Sequence, residues 1–212
     1  MNYKQIKIKK TIIFFSIIFS IVSLTIALRN AAIYSQDFQR SGALSLLLGF
    51  EPYTEYLNGN INEIFIKSQA PNYLQTLYFL FIPFAFLHER LANITWGICN
   101  ISMLLSSTFL LTQIYRIKSL SKIFFLLFIL LGGFPARNAI GNGQLSIFVM
   151  HSILLGLFLN KYSIQTKSKI ISLFIYGFSY LKYSFAPAFA AFSIIQFGFK
   201  KFLITITPSF LG

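Results

Sequence analysis

Apolar residues gather along this chain into runs separated by short polar breaks, at 11–27, 73–87, 91–115, 123–134, 145–159, 170–181 and 183–199, with a further run opening at 202. Runs of this kind with few charges inside them predict α-helices in a bilayer, where a helix satisfies its own backbone N–H and C=O groups. The chain is therefore expected to be all-α, a polytopic transmembrane helical protein. Residues 1–212 show no internal repeat and no low-complexity linker, so a single integral membrane domain is expected. The first run, TIIFFSIIFSIVSLTIA, follows Lys4, Lys7, Lys9 and Lys10. A secretory signal begins in the same way, and Asn30–Ala31–Ala32 resembles a cleavage site. Because the remainder is also membrane-embedded, an uncleaved signal anchor is the expectation, its lysines in the cytoplasm.

The polar breaks then suggest an orientation. If every run crossed, Arg116, Lys118 and Lys122 would face outward, as would Lys161, Lys167 and Lys169. The segment YLQTLYFLFIPFAFL (73–87) is short for a span and carries Pro83 inside. If it is re-entrant or lies along the outer surface, all of these cations and Lys200–Lys201 fall in the cytoplasm, as the positive-inside rule requires. The outward parts are then 28–90, 135–144 and the surroundings of Lys182, with a long first extracytoplasmic loop at about 28–72. The runs 123–134 and 170–181 are short against the ~20 residues of a span. Residues 170–199 also admit one long tilted helix with Lys182 in mid-membrane. Because the sequence stops within the apolar run FLITITPSFLG, it is expected to be the N-terminal part of a larger membrane domain.

Composition narrows the class. The chain is 56% hydrophobic and 18% aromatic with only 11% charged residues, too little polar surface to cover a soluble core of this size. A net charge of +13 invites a nucleic-acid reading. The Lys and Arg residues, however, sit in short clusters between apolar runs, which the positive-inside rule and anionic lipid headgroups explain. Membrane lipids, not nucleic acid, are the expected partners. The lone Cys99 lies in an apolar run and supports neither a disulfide framework nor a cysteine metal site. His88 and His151 are far apart and show no zinc spacing, so neither a metal nor a cofactor is expected, and His151 reads as a packed helix residue.

Three outward stretches carry candidate chemistry. The first, RNAAIYSQDFQRSGALSLLLGFEPY (29–53), holds Asp37, the only aspartate, just beyond the first run. Its carboxylate suits a base at the membrane surface; it also suits a helix N-cap, or an i,i+3 pair with Arg40 opening an amphipathic helix. Gly49 is expected to end that helix and Pro52 to set a turn. Tyr34, Tyr53, Tyr56 and Tyr73 offer faces for stacking on sugars or an interfacial aromatic belt, while Glu51, Glu55 and Glu63 are expected to be solvated. The second stretch, FPARNAIGNGQLSIF (134–148), has Pro135 and Gly141–Asn142–Gly143 to break the helix and leave backbone donors free for a phosphate or sugar hydroxyl. Arg137 adds a guanidinium fork that matches phosphate oxygens, unless it snorkels to headgroups beside an ordinary turn. The third is Lys182, a lone cation between apolar runs: a functional residue or a snorkelling one. In the preferred topology Asp37, Arg137, Gln144 and Lys182 approach one face. There a base, cations and donors can activate a hydroxyl and hold a phosphate leaving group.

The ordered set QDFQRSGALSLLLGFEPY, APNYLQTLYFLFIPFAFL, WGICN, GNGQLSIF and SYLKYSFAP resembles the GT-C superfamily of polytopic glycosyltransferases, most closely glycosyltransferase family 87 (the DUF2029 group, polyprenyl-phosphate-mannose-dependent mannosyltransferase-like proteins). The segments follow that family's Asp after the first span, its G-x-x-P-Y turn, W-x-x-x-N, GQ and K-x-x-P-like patches. Two depart from it: LKYSFAP displaces the proline, and APNYLQ replaces a tyrosine followed by prolines. The resemblance runs over about 29–199, roughly half of a typical member. It implies a GT-C-like membrane domain in the cell membrane, with its site on the extracytoplasmic side. It also implies transfer of mannose or another hexose from a polyprenyl-phosphate donor to a lipid-linked or extracytoplasmic glycan acceptor, with inversion. By the same resemblance Asp37 is the general base, Lys182 and Arg137 bind the donor phosphate, and Gln144, Asn142, Arg40 and Tyr53 bind substrate. A transporter with Lys182 in its path, or a non-catalytic structural membrane protein, is the competing expectation.

Overall fold

The computed structural model describes residues 3–59 and 73–211, and among these every regular element is helical. Glu63 and the Ala70–Pro71–Asn72 part of the second motif lie outside the described residues. Helix α1 (Tyr3–Tyr34) contains an apolar stretch of 27 residues, Ile8–Tyr34, enough to cross a bilayer. It turns a stripe of small residues, Ser16, Ser20, Ser23, Ala27 and Ala31, to the rest of the protein and leaves large apolar side chains such as Phe14, Phe19 and Ile21 outside. That distribution is what a lipid solvent favours: close backbone approach on the protein side and hydrocarbon on the other. Because α1 continues to Tyr34, the long first loop begins seven residues later than position 28 suggested.

Three short helices follow at that end: α2 (Arg40–Leu47), α3 (Pro52–Leu57) and α4 (Gln75–Ala85). Gly49, at φ 82°, closes α2 as expected, with Gly49 N–H on the Leu46 carbonyl and Phe50 N–H on that of Ser45. Pro52 does more than set a turn. It starts α3, with Glu51 as the N-cap accepting from the Thr54 N–H. Helix α2 reverses the expected amphipathic pattern, burying Ser41, Gly42, Ala43 and Ser45 and exposing Leu47 and Leu48. Its small face is needed because the Tyr78 ring of α4 fills the space beside Gly42, where an added Cβ would lie 2.4 Å from Tyr78 Cε1. Helix α4 has eleven residues, about 17 Å, and is too short to cross.

The second membrane-length helix, α5 (Glu89–Ile114), lies against α1 where Gly97 has Leu28 and Ala31 as neighbours. The short run at 123–134 is part of a longer, broken element. Helix α6 (Leu120–Leu127) continues through a π-helical turn, Phe128–Gly132, and bends by 46° into α7 (Phe134–Gly141). Gly133 is extended at the bend, and Pro135 sits in the first turn of α7, where no N–H is required. The region 135–144, expected as a loop, is therefore mostly helix. Ala136, Ala139, Ile140 and Gly141 bury it against α1, and Gly141 approaches so closely that a Cβ would come within 2.9 Å of Asn30 Cβ.

Helices α8 (Ser146–Tyr162) and α9 (Thr166–Gly177) form a tight hairpin, crossing at Gly156 beneath Ser172 and Tyr176. His151 of α8 meets α5, its Nδ1 3.2 Å from Ser107 Oγ. A 3-10 turn, Phe178–Leu181, ends α9, and the chain breaks at Lys182 before α10 (Ala186–Phe197) and α11 (Phe199–Ile206). The single long helix over 170–199 is thus excluded, and Lys182 sits at a helix break. The molecule has two chemically different ends. At one, Lys161 and Tyr162 of α8 donate to the Ile114 and Gln113 carbonyls of α5. At the other, the end of α1 meets the α7–α8 junction.

Candidate functional site

At this second end the chain between α1 and α2 crosses the α7–α8 turn, and the Asp37 N–H donates to the Asn142 carbonyl at 2.9 Å. The turn is shaped by Gly143 at φ 70°, a left-handed conformation that favours glycine. Gly143 N–H bonds the Ile140 carbonyl at 3.1 Å and Gln144 N–H that of Ala139 at 2.8 Å, the two-bond closure of a helix C-terminus. The donors expected to be free for a ligand in this turn are thus used to cap α7; N–H groups without helical partners belong instead to the first turn of α8. Glycine is required at 143 on a second count: a Cβ would lie 2.5 Å from Ser35 Oγ and 2.7 Å from Phe38 Cβ.

Aromatic residues lock this crossing. Trp96 Nε1–H donates to the Gly143 carbonyl at 2.9 Å, and the Phe38 ring stacks on Trp96 with a centroid separation of 5.5 Å and an interplanar angle of 5°. Phe81 and Phe84 of α4 meet both rings edge-on. The residue after Asp37 is buried in this cluster while Asp37 itself is half-exposed. The backbone is fixed and the carboxylate is presented.

One tyrosine, Tyr73, is coupled electrostatically to it. Tyr73 is buried, and burial first, then the charges of Asp37 and Tyr183, push its phenol up to about 12. It stays protonated at neutral pH. The Tyr53 hydroxyl donates to the Tyr73 carbonyl, and its own ionisation is pushed up, chiefly by burial. Glu51 is not simply solvated. Burial raises its carboxyl, but hydrogen bonds from Thr54, the Tyr53 backbone and Gln75 outweigh that and hold it below the usual carboxylate range; the Gln75 Nε2 contact is 3.0 Å. Tyr73 was legible in the sequence as a sugar-stacking or aromatic-belt residue within the APNYLQ patch, and Tyr183 only as part of SYLKYSFAP. The coupling of Tyr73 to Asp37 exists only in three dimensions.

The other expected site residues are distributed unevenly. Asn142 supplies the carbonyl that holds Asp37, and Gln144 follows it, its Oε1 accepting from Ser146 Oγ at 3.5 Å. Lys182 places its ammonium 5.3 Å from the centroid of the Phe185 ring, and its neighbour Tyr183 is coupled electrostatically to Tyr73. Arg40 is not paired with Asp37. Its guanidinium donates to the Phe84, Ala85 and Leu87 carbonyls, at 2.6 Å for the shortest bond, and closes the C-terminus of α4. Arg137 stands over Phe134, 5.2 Å from the ring centroid, at the start of α7. Among the described residues no three His, Cys, Asp or Glu side chains gather as a metal site. Below Lys182, α8 and α10 splay apart around an apolar groove of about 290 Å³ lined by Ser146, Val149, Met150, Ile153, Phe185 and Phe189.

Helices of membrane-crossing length, with an acid, tyrosines and a lysine at one end of the bundle, define an integral membrane protein with a polar site at the end of its spans. Residues 75–205 match the model of glycosyltransferase family 87, and the chain belongs to that family. It is a membrane glycosyltransferase by family, which implies a sugar donor and an acceptor. The match covers α4 to α11 and begins after the Asp37 segment. No curated protein and no solved structure matches the chain.

Proposed function

We propose that this protein is a GT-C-type enzyme that moves a hexose, mannose in the simplest case, from a polyprenyl monophosphate to a lipid-linked or extracytoplasmic glycan hydroxyl. The reading rests on one observation: the Asp37 segment is hydrogen-bonded to the Asn142–Gly143–Gln144 turn, inside the family-matched region. Asp37 takes the acceptor hydroxyl proton as that oxygen attacks the anomeric carbon. The bond from that carbon to the phosphate oxygen breaks, its electron pair leaves with the lipid phosphate, and Lys182 offsets the charge. Arg137 contributes to the same phosphate at longer range, Gln144, Asn142 and Tyr53 orient substrate, and direct displacement with a single base inverts the anomeric centre. The role of Arg40 is to hold α4 rather than to touch substrate. The apolar groove under Phe185 has the chemistry to receive the first isoprene units of the donor.

The lysine-rich end faces the cytoplasm by the positive-inside rule, so the Asp37 end faces the other side of the cell membrane. The test is Asp37→Asn assayed for hexose transfer from a polyprenyl-phosphate donor in proteoliposomes. A fall of roughly 10²–10⁴-fold with unchanged expression is expected for loss of a general base. An Asn variant as active as the parent removes Asp37 from the mechanism.

A further inference from the structure

The five acidic residues all lie between positions 37 and 89, and no Asp or Glu follows Glu89. At the lysine-rich end, Arg116, Lys118, Lys122, the Lys161–Lys169 group and Lys200–Lys201 therefore belong to a stretch of 123 residues, 90–212, without a carboxylate. Their counter-charges come from outside that part of the chain.

One of these cations, Lys161, lines a built cavity. The C-terminal ends of α5, α8 and α10 leave a space of about 460 Å³ between them. Ile114, Leu154, Leu157 and Phe192 form its apolar wall, while Asn160, Lys161, Gln196 and Tyr115 give it a polar mouth. It shares Leu154 with the groove under Lys182, but its chemistry is different: the upper groove is apolar throughout and the lower cavity ends in a cation and two amides. Lys161 gives one of its donors to the Ile114 carbonyl at 3.4 Å, and an ammonium has two more to offer. The backbone at the rim points the same way. Arg116, immediately after the lining residue Tyr115, ends α5 at φ 52°, the one described non-glycine residue with positive φ. Ile117 N–H reaches the Thr112 carbonyl at 2.8 Å and Arg116 N–H that of Gln113 at 3.3 Å, a closure that normally favours glycine. Arginine thus follows the lining residue Tyr115 at a position where the backbone alone would select glycine.

We propose that this cavity is a binding site for one anionic phospholipid, with its phosphate between Lys161, Arg116 and the Asn160 and Gln196 amides and an acyl chain against Leu157, Leu154 and Phe192. A zwitterionic lipid fits the same wall but brings its own cation to a mouth that already carries the Lys161 ammonium. The site is at the opposite end from Asp37 and does not rest on the proposed sugar transfer. The full chain is purified in mild detergent and titrated with phosphatidylglycerol or chain-matched phosphatidylcholine, and bound lipid is counted by native mass spectrometry. A single phosphatidylglycerol retained in preference to phosphatidylcholine is expected. Lys161→Gln weakens its retention about fivefold, the effect of one cation at an anionic surface. Asn160→Asp, which places an acid at the mouth without adding bulk, weakens it at least as much, and Lys167→Gln, on the same face but outside the lining, leaves it unchanged. Equal retention of the two lipids, retention of neither, or equal weakening by Lys161→Gln and Lys167→Gln overturns the proposal.

Discussion

Asp37 owes its place to its neighbours. Its own side chain is half-exposed; what is fixed is the backbone N–H on Asn142 and the Phe38 ring under Trp96. Tyr73 is the residue whose chemistry Asp37 alters most clearly, and this gives a pH prediction. Below pH 10 the folded and unfolded states both keep the phenol proton, so the stability from this residue is fully present. Between 10 and about 12 only the unfolded chain releases it, and stability falls as pH passes through that window. Thermal melts in detergent at pH 8 and 11 are expected to show a smaller alkaline loss in Tyr73→Phe than in the parent; an equal loss would place the titration elsewhere. At Lys182 the prediction is kinetic. Lys182→Gln lowers kcat/KM for the polyprenyl-phosphate donor by roughly 10–100-fold, the worth of a hydrogen bond to a charged group, while acceptor KM is unchanged. A change confined to acceptor KM would move Lys182 to the acceptor side.

Among the helices, the decisive feature is the joint between α7 and α8. The sequence marked it through Asn142–Gly143, as it marked the start of α7 through Pro135, and both breaks did fall there, because glycine and proline act on the backbone locally and independently of what packs nearby. What the local pattern misassigned was the segment between those marks. Residues 134–141 hold mostly small and polar side chains and read as a loop, yet they form a helix because α1 offers a surface close enough for Ala136, Ala139 and Gly141 to lie against. Gly143→Ala is expected to cost about 1–2 kcal/mol for the left-handed backbone alone, with more from the overlap with Ser35 and Phe38, and to abolish transfer by pushing the Asp37 segment away. Trp96→Phe keeps a ring on Phe38 but leaves the Gly143 carbonyl without its donor. It should cost about 1–3 kcal/mol in thermal stability and lower kcat more than KM. A Trp96→Phe enzyme with parental kcat would show that the stack by itself holds the site. Arg40 teaches the opposite lesson to Gly143. Its spacing from Asp37 suggested an i,i+3 pair, but three carbonyls at the end of α4 compete for the same guanidinium and win, since a helix C-terminus without donors carries unsatisfied acceptors.

For the whole molecule, charge segregation sets the expected orientation, with Arg116, Lys118, Lys122, the Lys161–Lys169 group and Lys200–Lys201 on the cytoplasmic side. Cysteines placed at positions 118 and 142 of a chain with Cys99 replaced test it: a membrane-impermeant maleimide applied from outside should label 142 and spare 118, and the reverse pattern overturns the assigned faces. The helical class, the apolar spans and the helix breaks beside Pro135 and Gly143 were determined by the sequence alone, because hydropathy over a bilayer's thickness and the backbone limits of glycine and proline are local properties. Tertiary structure alone decided that 120–141 is one bent element, that Arg40 belongs to α4, and that Tyr73 comes under the influence of Asp37. Those outcomes depend on which distant surfaces meet, and a pattern of apolar and polar positions records only that a residue is covered, not by what.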